Sequence, residues 1–228
     1  MNKFINVLLI FVGLPIMLYT IYVGFDLPIG FMNMTGSELP YRFETFLVMG
    51  LLLLIINLRR SIRRWMGLRL VNQTDKFKWN STMSSERITR VNMYNAMEAV
   101  IMAFFGVGLY VVSPEAWMPM IGLLFGSADN IIFSIYGTSK HKYRTGLTSK
   151  ALVIADRDVI VIYFKGLRKV SAQQQSIYFD FVKDLQLSFP TNCIKYAEQP
   201  AFFDALKSTV DQEKVFFSSK LVSESATN

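Results

Sequence analysis

The chain of 228 residues is 52% hydrophobic and only 18% charged, against about 25% charged in an ordinary soluble domain, and its formal net charge is +7. A single cysteine, Cys193, excludes an internal disulfide and any multi-cysteine metal site, and a single histidine, His141, leaves no histidine cluster for zinc or di-iron. The basic excess comes with no zinc-finger spacing, recognition-helix pattern or interleaved aromatic and basic residues, so no nucleic-acid partner is expected.

The first apolar run, 4–24, holds no Lys, Arg, His, Asp or Glu and would be about 30 Å long as a helix, which matches the hydrocarbon core of a bilayer. It is longer than the apolar region of a signal peptide, and Pro15 interrupts it where a retained helix can kink, so it is expected to stay in the mature protein. Similar runs follow at 43–58, 95–113 and 116–136. The expectation is an integral membrane α-helical domain over 1–137 with four transmembrane helices.

Basic residues near membrane segments stay on the cytoplasmic side. Connection 59–92 carries Arg59, Arg60, Arg63, Arg64, Arg69, Lys76, Lys78, Arg87 and Arg90, whereas connection 25–41 has no Lys or Arg and carries Asp26 and Glu38. Residues 138–150 add Lys140, Lys142, Arg144 and Lys150. This asymmetry predicts a multi-pass protein of the cytoplasmic (inner) membrane with both termini in the cytoplasm.

The stretch RRSIRRWMGLRL sets Arg59, Arg60, Arg63 and Arg64 at helical spacing beside Ile62, Trp65, Met66 and Leu70. Either it lies along the bilayer interface, with the arginines at anionic headgroups and Trp65 at headgroup depth, or the second helix runs straight on and the arginines merely stop it. Residues 71–86 read as a polar linker. They end at Ser84 and Ser85 without the Glu or Gln of a full capping box, so the third helix should begin before the membrane.

Charge at membrane depth is expensive and needs a partner or a hydrated cavity. Glu98 in the third run and Asp129 in the fourth lie at comparable depth, and with Asn95 and Asn130 they form a possible intramembrane polar cluster. Two close carboxylates would share a proton or hold a cation; alternatively Glu98 reaches Arg87 or Arg90 and Asp129 reaches Lys140 or Lys142 at the basic rim. Small residues that let helices approach are Gly106, Gly108, Gly122 and Gly126, with a seam between the third and fourth helices as the default.

After Tyr143 the periodicity becomes alternating. Runs 151–155, 159–164, 177–182 and 185–189 read as strands of an antiparallel meander, with shorter candidates at 144–148 and 167–171. After Pro200, the residues Phe202, Phe203, Leu206 and Val210 recur at helical spacing, so one amphipathic helix closes an α+β domain.

Residues 143–212, particularly TSKALVIADRDVIVIYFKGLRKVS and FFDALKSTV, resemble the bacterial pleckstrin-homology-like (PH-like) domains attached to membrane helices. The resemblance implies a small bent antiparallel sheet capped by a C-terminal helix, used to bind proteins or lipid headgroups. Lys165, Arg168 and Lys169, around Gly166, are then the place to seek a phosphate or partner contact, unless they form only a solvated hairpin tip. Residues 215–228 read as a flexible tail, unless Phe216 and Phe217 dock on the sheet.

No GxxxxGK, HExxH or CxxC occurs, and Ser127 has no histidine within the membrane runs, so no catalytic residue, metal or cofactor is expected. The functional expectation is a non-enzymatic membrane-anchored scaffold or regulatory subunit. Its expected partners are anionic membrane lipids, a partner protein and, in a homo-oligomer, further copies of the chain. An oligomeric channel or transporter component, with Glu98 and Asp129 along a polar path, is the competing expectation.

Overall fold

A computed structural model of the chain describes residues 2–29, 34–173, 175–182, 185–211 and 213–218. They divide into two compact units, Met1–Arg63 with Met93–Ser134, and Arg64–Asn92 with Ile135–Asn228. The expected tail lies, from 219 onward, outside the described residues.

The first unit is helical. Helix α1 (Asn2–Gly24) contains Pro15 and leads to a two-stranded ribbon of β1 (Pro28–Ile29) and β2 (Met34–Thr35). Asp26, at φ 49°, accepts a hydrogen bond from the Ser37 backbone N–H at 2.7 Å and so fixes this connection. Helices α2 (Arg42–Val71) and α3 (Ser85–Val112) follow, then a short turn and α4 (Trp117–Ser139). Three helices, Arg42–Val71, Ser85–Val112 and Pro114–Ser139, are long and apolar enough to cross a membrane.

Ile16 and Val23 of α1, Phe46 and Leu53 of α2, Leu109 of α3 and Leu123 of α4 form the core of this unit. Large apolar side chains also point outward: Phe104, Val111, Phe11, Val100 and Ile101 are all more than 60% exposed. An apolar exterior of this kind, on helices of this length, is compatible with a membrane protein.

The second unit takes its first strand from between α2 and α3. Strand β3 (Trp79–Thr82) pairs antiparallel with β4 (Arg144–Leu147), which continues through β5 (Ala151–Ala155) to β6 (Val159–Tyr163). A second sheet orders β7 (Leu167–Gln173), β8 (Ser176–Phe181) and β9 (Gln186–Pro190) antiparallel, and β10 (Phe216–Phe217) joins β7 in parallel. Helix α5 (Gln199–Thr209) buries Phe202, Phe203 and Leu206.

Residues 71–86 are thus not merely a polar linker, and the sheet does not start at 143. The sequence Trp-Asn-Ser-Thr is too short and too polar to read as a strand, yet Trp79 pairs with Leu147 in the ladder and its ring packs on Phe202. Ser84 caps α3: its Oγ accepts the Arg87 backbone N–H at 3.1 Å, while its hydroxyl donates to the Asn192 carbonyl at 2.7 Å.

Candidate functional site

Helix α2 is continuous to Val71, so RRSIRRWMGLRL extends the helix instead of forming a separate interfacial one. Its inward stripe is polar. Asn57, Arg60, Ser61 and Arg64, spaced three and four apart, are all buried, and Arg64 is only 2% exposed. Contact with lipid headgroups through Arg60 and Arg64 is therefore corrected: both guanidinium groups are enclosed by protein. Arg59 is exposed and Arg63 half-buried, while Ile62, Met66 and Leu70 form the exposed apolar side of the helix.

The polar layer of the first unit is assembled by α2, α3 and α4. Arg60 makes a bidentate pair with Glu98, its Nη2 donating to Oε2 at 2.8 Å and its Nη1 to Oε1. The two side chains are 7% and 18% exposed. Ser61 donates its hydroxyl to Asp129 Oδ1 at 2.8 Å. Asn57 donates to the Gly122 carbonyl at 3.1 Å and Asn95 to Ser134 Oγ at 2.9 Å. Ser127 donates to the Ala99 carbonyl at 2.8 Å, and Asn130 reaches Met102 Sδ.

Glu98 and Asp129 are thus each held by a side chain of α2, a helix that contributes no residue to the cluster expected from the sequence. The rim arginines proposed for Glu98 are engaged elsewhere, Arg87 with Asp156 and Arg90 with Glu86. A signal did exist: Asn57, Arg60, Ser61 and Arg64 recur at helical spacing. It was read with the wrong polarity, because arginines beside an apolar stripe look the same whether they face lipid headgroups or the protein interior.

The glycines act at different seams. A Cβ on Gly106 would meet Leu123 at 3.2 Å, consistent with a contact between α3 and α4. Gly122 instead faces α2, meeting the Gly50 carbonyl at 3.1 Å, and Gly126 lies against both Asn57 of α2 and Met102 of α3. Among the described residues nothing lies within 4 Å of a Cβ built on Gly108. The tightest approach of α2 to α4 belongs to Gly50, where a Cβ would be 2.5 Å from the Met118 carbonyl carbon.

In the second unit Lys165, Arg168 and Lys169 are all exposed, with Gly166 at φ 81° in the turn before β7. A register shift between Leu167 and Lys169 makes Arg168 the bulged residue of β7. Of the three, Arg168 opens onto a cavity of about 430 Å³, together with Lys207, Lys214 and Glu213. Lys207 and Lys214 were not singled out in the sequence because they belong to α5 and the segment after it. Lys214 donates to Asp211 at 2.6 Å, an exposed pair that raises the Lys214 pKa and lowers that of Asp211.

A second cavity, of about 460 Å³, is lined by Trp65, Met66, Arg69, Asn72, Tyr136 and Lys142 among others. The rings of Trp65 and Tyr136 lie 5.3 Å apart there. Behind the first sheet, Arg87 grips Asp156, itself 3% exposed, through Nε at 2.9 Å and Nη2 at 2.5 Å. Cys193 is buried beside this pair. Burial first, and then the Asp156 charge, push its thiol up to about 12, with Arg87 opposing. A thiol held protonated in this way is a structural residue and a poor nucleophile.

Among the described residues no group of three His, Cys, Asp or Glu side chains is placed to hold a metal ion. No family model matches the chain, and neither curated proteins nor solved structures contain a significant match.

Proposed function

We propose that the protein is a non-enzymatic, multi-pass membrane scaffold or regulatory subunit. Four transmembrane helices assemble and anchor it, and a cytoplasmic PH-like α+β module binds an acidic partner or headgroup. Membrane insertion is supported by aromatic residues at both ends of the apolar stretches. Phe43 and Trp65 in α2 are separated by about 33 Å of helical rise, and Trp117 and Tyr136 in α4 by about 28 Å, near the thickness of the hydrocarbon core. The basic connections mark the Trp65 and Tyr136 ends as cytoplasmic. Two largely antiparallel sheets and the amphipathic helix α5 after them support the PH-like reading.

The observation that carries the scaffold reading is the Arg60–Glu98 pair. A carboxylate gripped by both guanidinium nitrogens is neutralised in place and ties α2 to α3, which favours a structural lock over an ion relay. Ser61 ties α2 to α4 in the same layer through Asp129.

The test is flux through liposomes reconstituted with the full chain under proton, sodium and potassium gradients. The scaffold reading expects no flux above empty liposomes. Flux that disappears on Asp129→Asn while the protein still assembles would establish the channel or transporter reading in its place.

A further inference from the structure

We propose that the cavity bounded by Trp65, Met66, Arg69, Asn72, Tyr136 and Lys142 is a binding site for the phosphate headgroup of an anionic phospholipid. The cavity, about 460 Å³, has two cations and, among the described residues, no carboxylate on its lining. Among the described residues neither Arg69 nor Lys142 has an ion-pair partner. Two cations facing one cavity repel each other unless an anion lies between them, and an arginine fork with a lysine point charge suits phosphate oxygens.

The chain segments that carry the two cations are tied together. Asn72 Nδ2 donates to the Leu68 carbonyl at 2.7 Å and to the Lys142 carbonyl at 2.9 Å, joining the last turn of α2 to the segment that follows α4. Residues far apart in sequence thereby line one cavity. Trp65, Met66, Leu68 and Tyr136 supply the apolar part of its lining. Trp65 and Tyr136 meet at 54° between ring planes, and Met66 is 65% exposed, which provides a surface for a glycerol backbone and the first methylenes of acyl chains.

Depth distinguishes a lipid from a soluble phosphate. This step rests on the reading that α2 crosses the bilayer with its C-terminal end in the cytoplasm. Counting from Arg42, about twenty residues cross the hydrocarbon core, so Trp65, Met66 and Arg69 lie roughly 5–10 Å beyond it, in the headgroup layer. The cytoplasmic leaflet is the one that carries anionic lipid surface charge.

The experiment titrates the detergent-solubilised full chain with short-chain phosphatidylglycerol, phosphatidylcholine of the same chain length, and inorganic phosphate. It reads the melting temperature and the lipid retained in native mass spectrometry. Phosphatidylglycerol should raise the melting temperature and be retained, whereas phosphatidylcholine and phosphate at the same concentration should do neither. Arg69→Gln with Lys142→Gln should weaken phosphatidylglycerol binding about thirtyfold, and each single change about fivefold, so a poorly folding double variant still leaves two readings.

Equal retention of phosphatidylcholine, an equal response to phosphate alone, or undiminished phosphatidylglycerol binding in the single variants would overturn the proposal. Orientation is checked separately in intact cells with His141→Cys in a Cys193→Ala background and a membrane-impermeant thiol reagent. Labelling from outside would overturn the topology without touching the lipid result; protection from outside, with no phosphatidylglycerol response, would overturn the headgroup site alone.

Discussion

The ring of Trp79 packs at 5.1 Å and 61° against the ring of Phe202. Trp79 lies on a strand between α2 and α3 and Phe202 on the last helix, so one aromatic contact joins residues 123 positions apart. Phe202 also meets Phe189 edge-on at 6.2 Å, and Phe189 stacks on Phe179. The aromatic core of the second unit is therefore continuous from the inter-helix connection to the C-terminal helix.

A segment of residues 140–214 lacks Trp79 and the strand that covers β4, and it should not fold as a compact domain. Circular dichroism of that segment should show far less strand than the sequence 143–212 suggests. In the full chain, Phe202→Ala should cost about 3–5 kcal/mol. A double-mutant cycle with Trp79→Ala should show a coupling of about 1 kcal/mol, read from denaturant melts. A well-dispersed, cooperatively melting 140–214 segment would show that β3 is dispensable.

Breaking the Arg60–Glu98 pair from one side should be more harmful than removing it altogether. Glu98→Gln leaves the Arg60 guanidinium buried without its counter-charge and should cost about 3–5 kcal/mol, whereas Arg60→Met with Glu98→Leu should recover much of that loss. Thermal stability in detergent is the measurement. A near-silent Glu98→Gln would place the pair in well-hydrated surroundings, where an exposed salt bridge contributes only about 0–1 kcal/mol.

Helix seams make a prediction with an internal control. Gly50→Ala drives a methyl group into the Met118 backbone and should destabilise by about 1–3 kcal/mol. Gly108→Ala meets nothing and should be neutral, or stabilising by up to about 1 kcal/mol through helix propensity. Equal melting temperatures for the two variants would argue against a close α2 to α4 crossing.

Cys193 should resist alkylation at pH 8 until the second unit unfolds. Its folded pKa, about 12, stands above the ordinary 9.0, so the folded state retains the thiol proton longer than the unfolded state. The resulting stabilisation is fully present below about pH 9 and is lost as pH rises from there towards about 12. Rapid modification at pH 8 under native conditions would show that the thiol is accessible.

Topology is best probed at positions that are exposed. Ser37→Cys should react with an impermeant thiol reagent in intact cells, and Asp75→Cys should not, both in a Cys193→Ala background. Ser81 is unsuitable because it is buried in β3. Labelling at Asp75→Cys alone would reverse the orientation.

Much was legible in the sequence because it depends on local pattern and on the solvent each segment prefers. Long apolar runs and a change from helical to alternating periodicity after Tyr143 each carry their meaning within a window of a few residues. The closing helix at Phe202, Phe203 and Leu206 is visible on the same grounds, as is a helix start at Ser84 or Ser85.

The partnership of residues distant in sequence was decided only by the tertiary structure. Periodicity shows that Arg60, Ser61 and Arg64 share a helix face, but an arginine stripe satisfies lipid phosphates and buried carboxylates equally well; only packing against α3 and α4 brings Glu98 and Asp129 to that face. Trp79-Asn-Ser-Thr has too little alternation to declare itself a strand, and it becomes one because β4 supplies the hydrogen-bonding edge and Phe202 the apolar surface. Composition and local pattern report how a segment meets its solvent, whereas hydrogen-bond partners and ring contacts depend on where the rest of the chain returns.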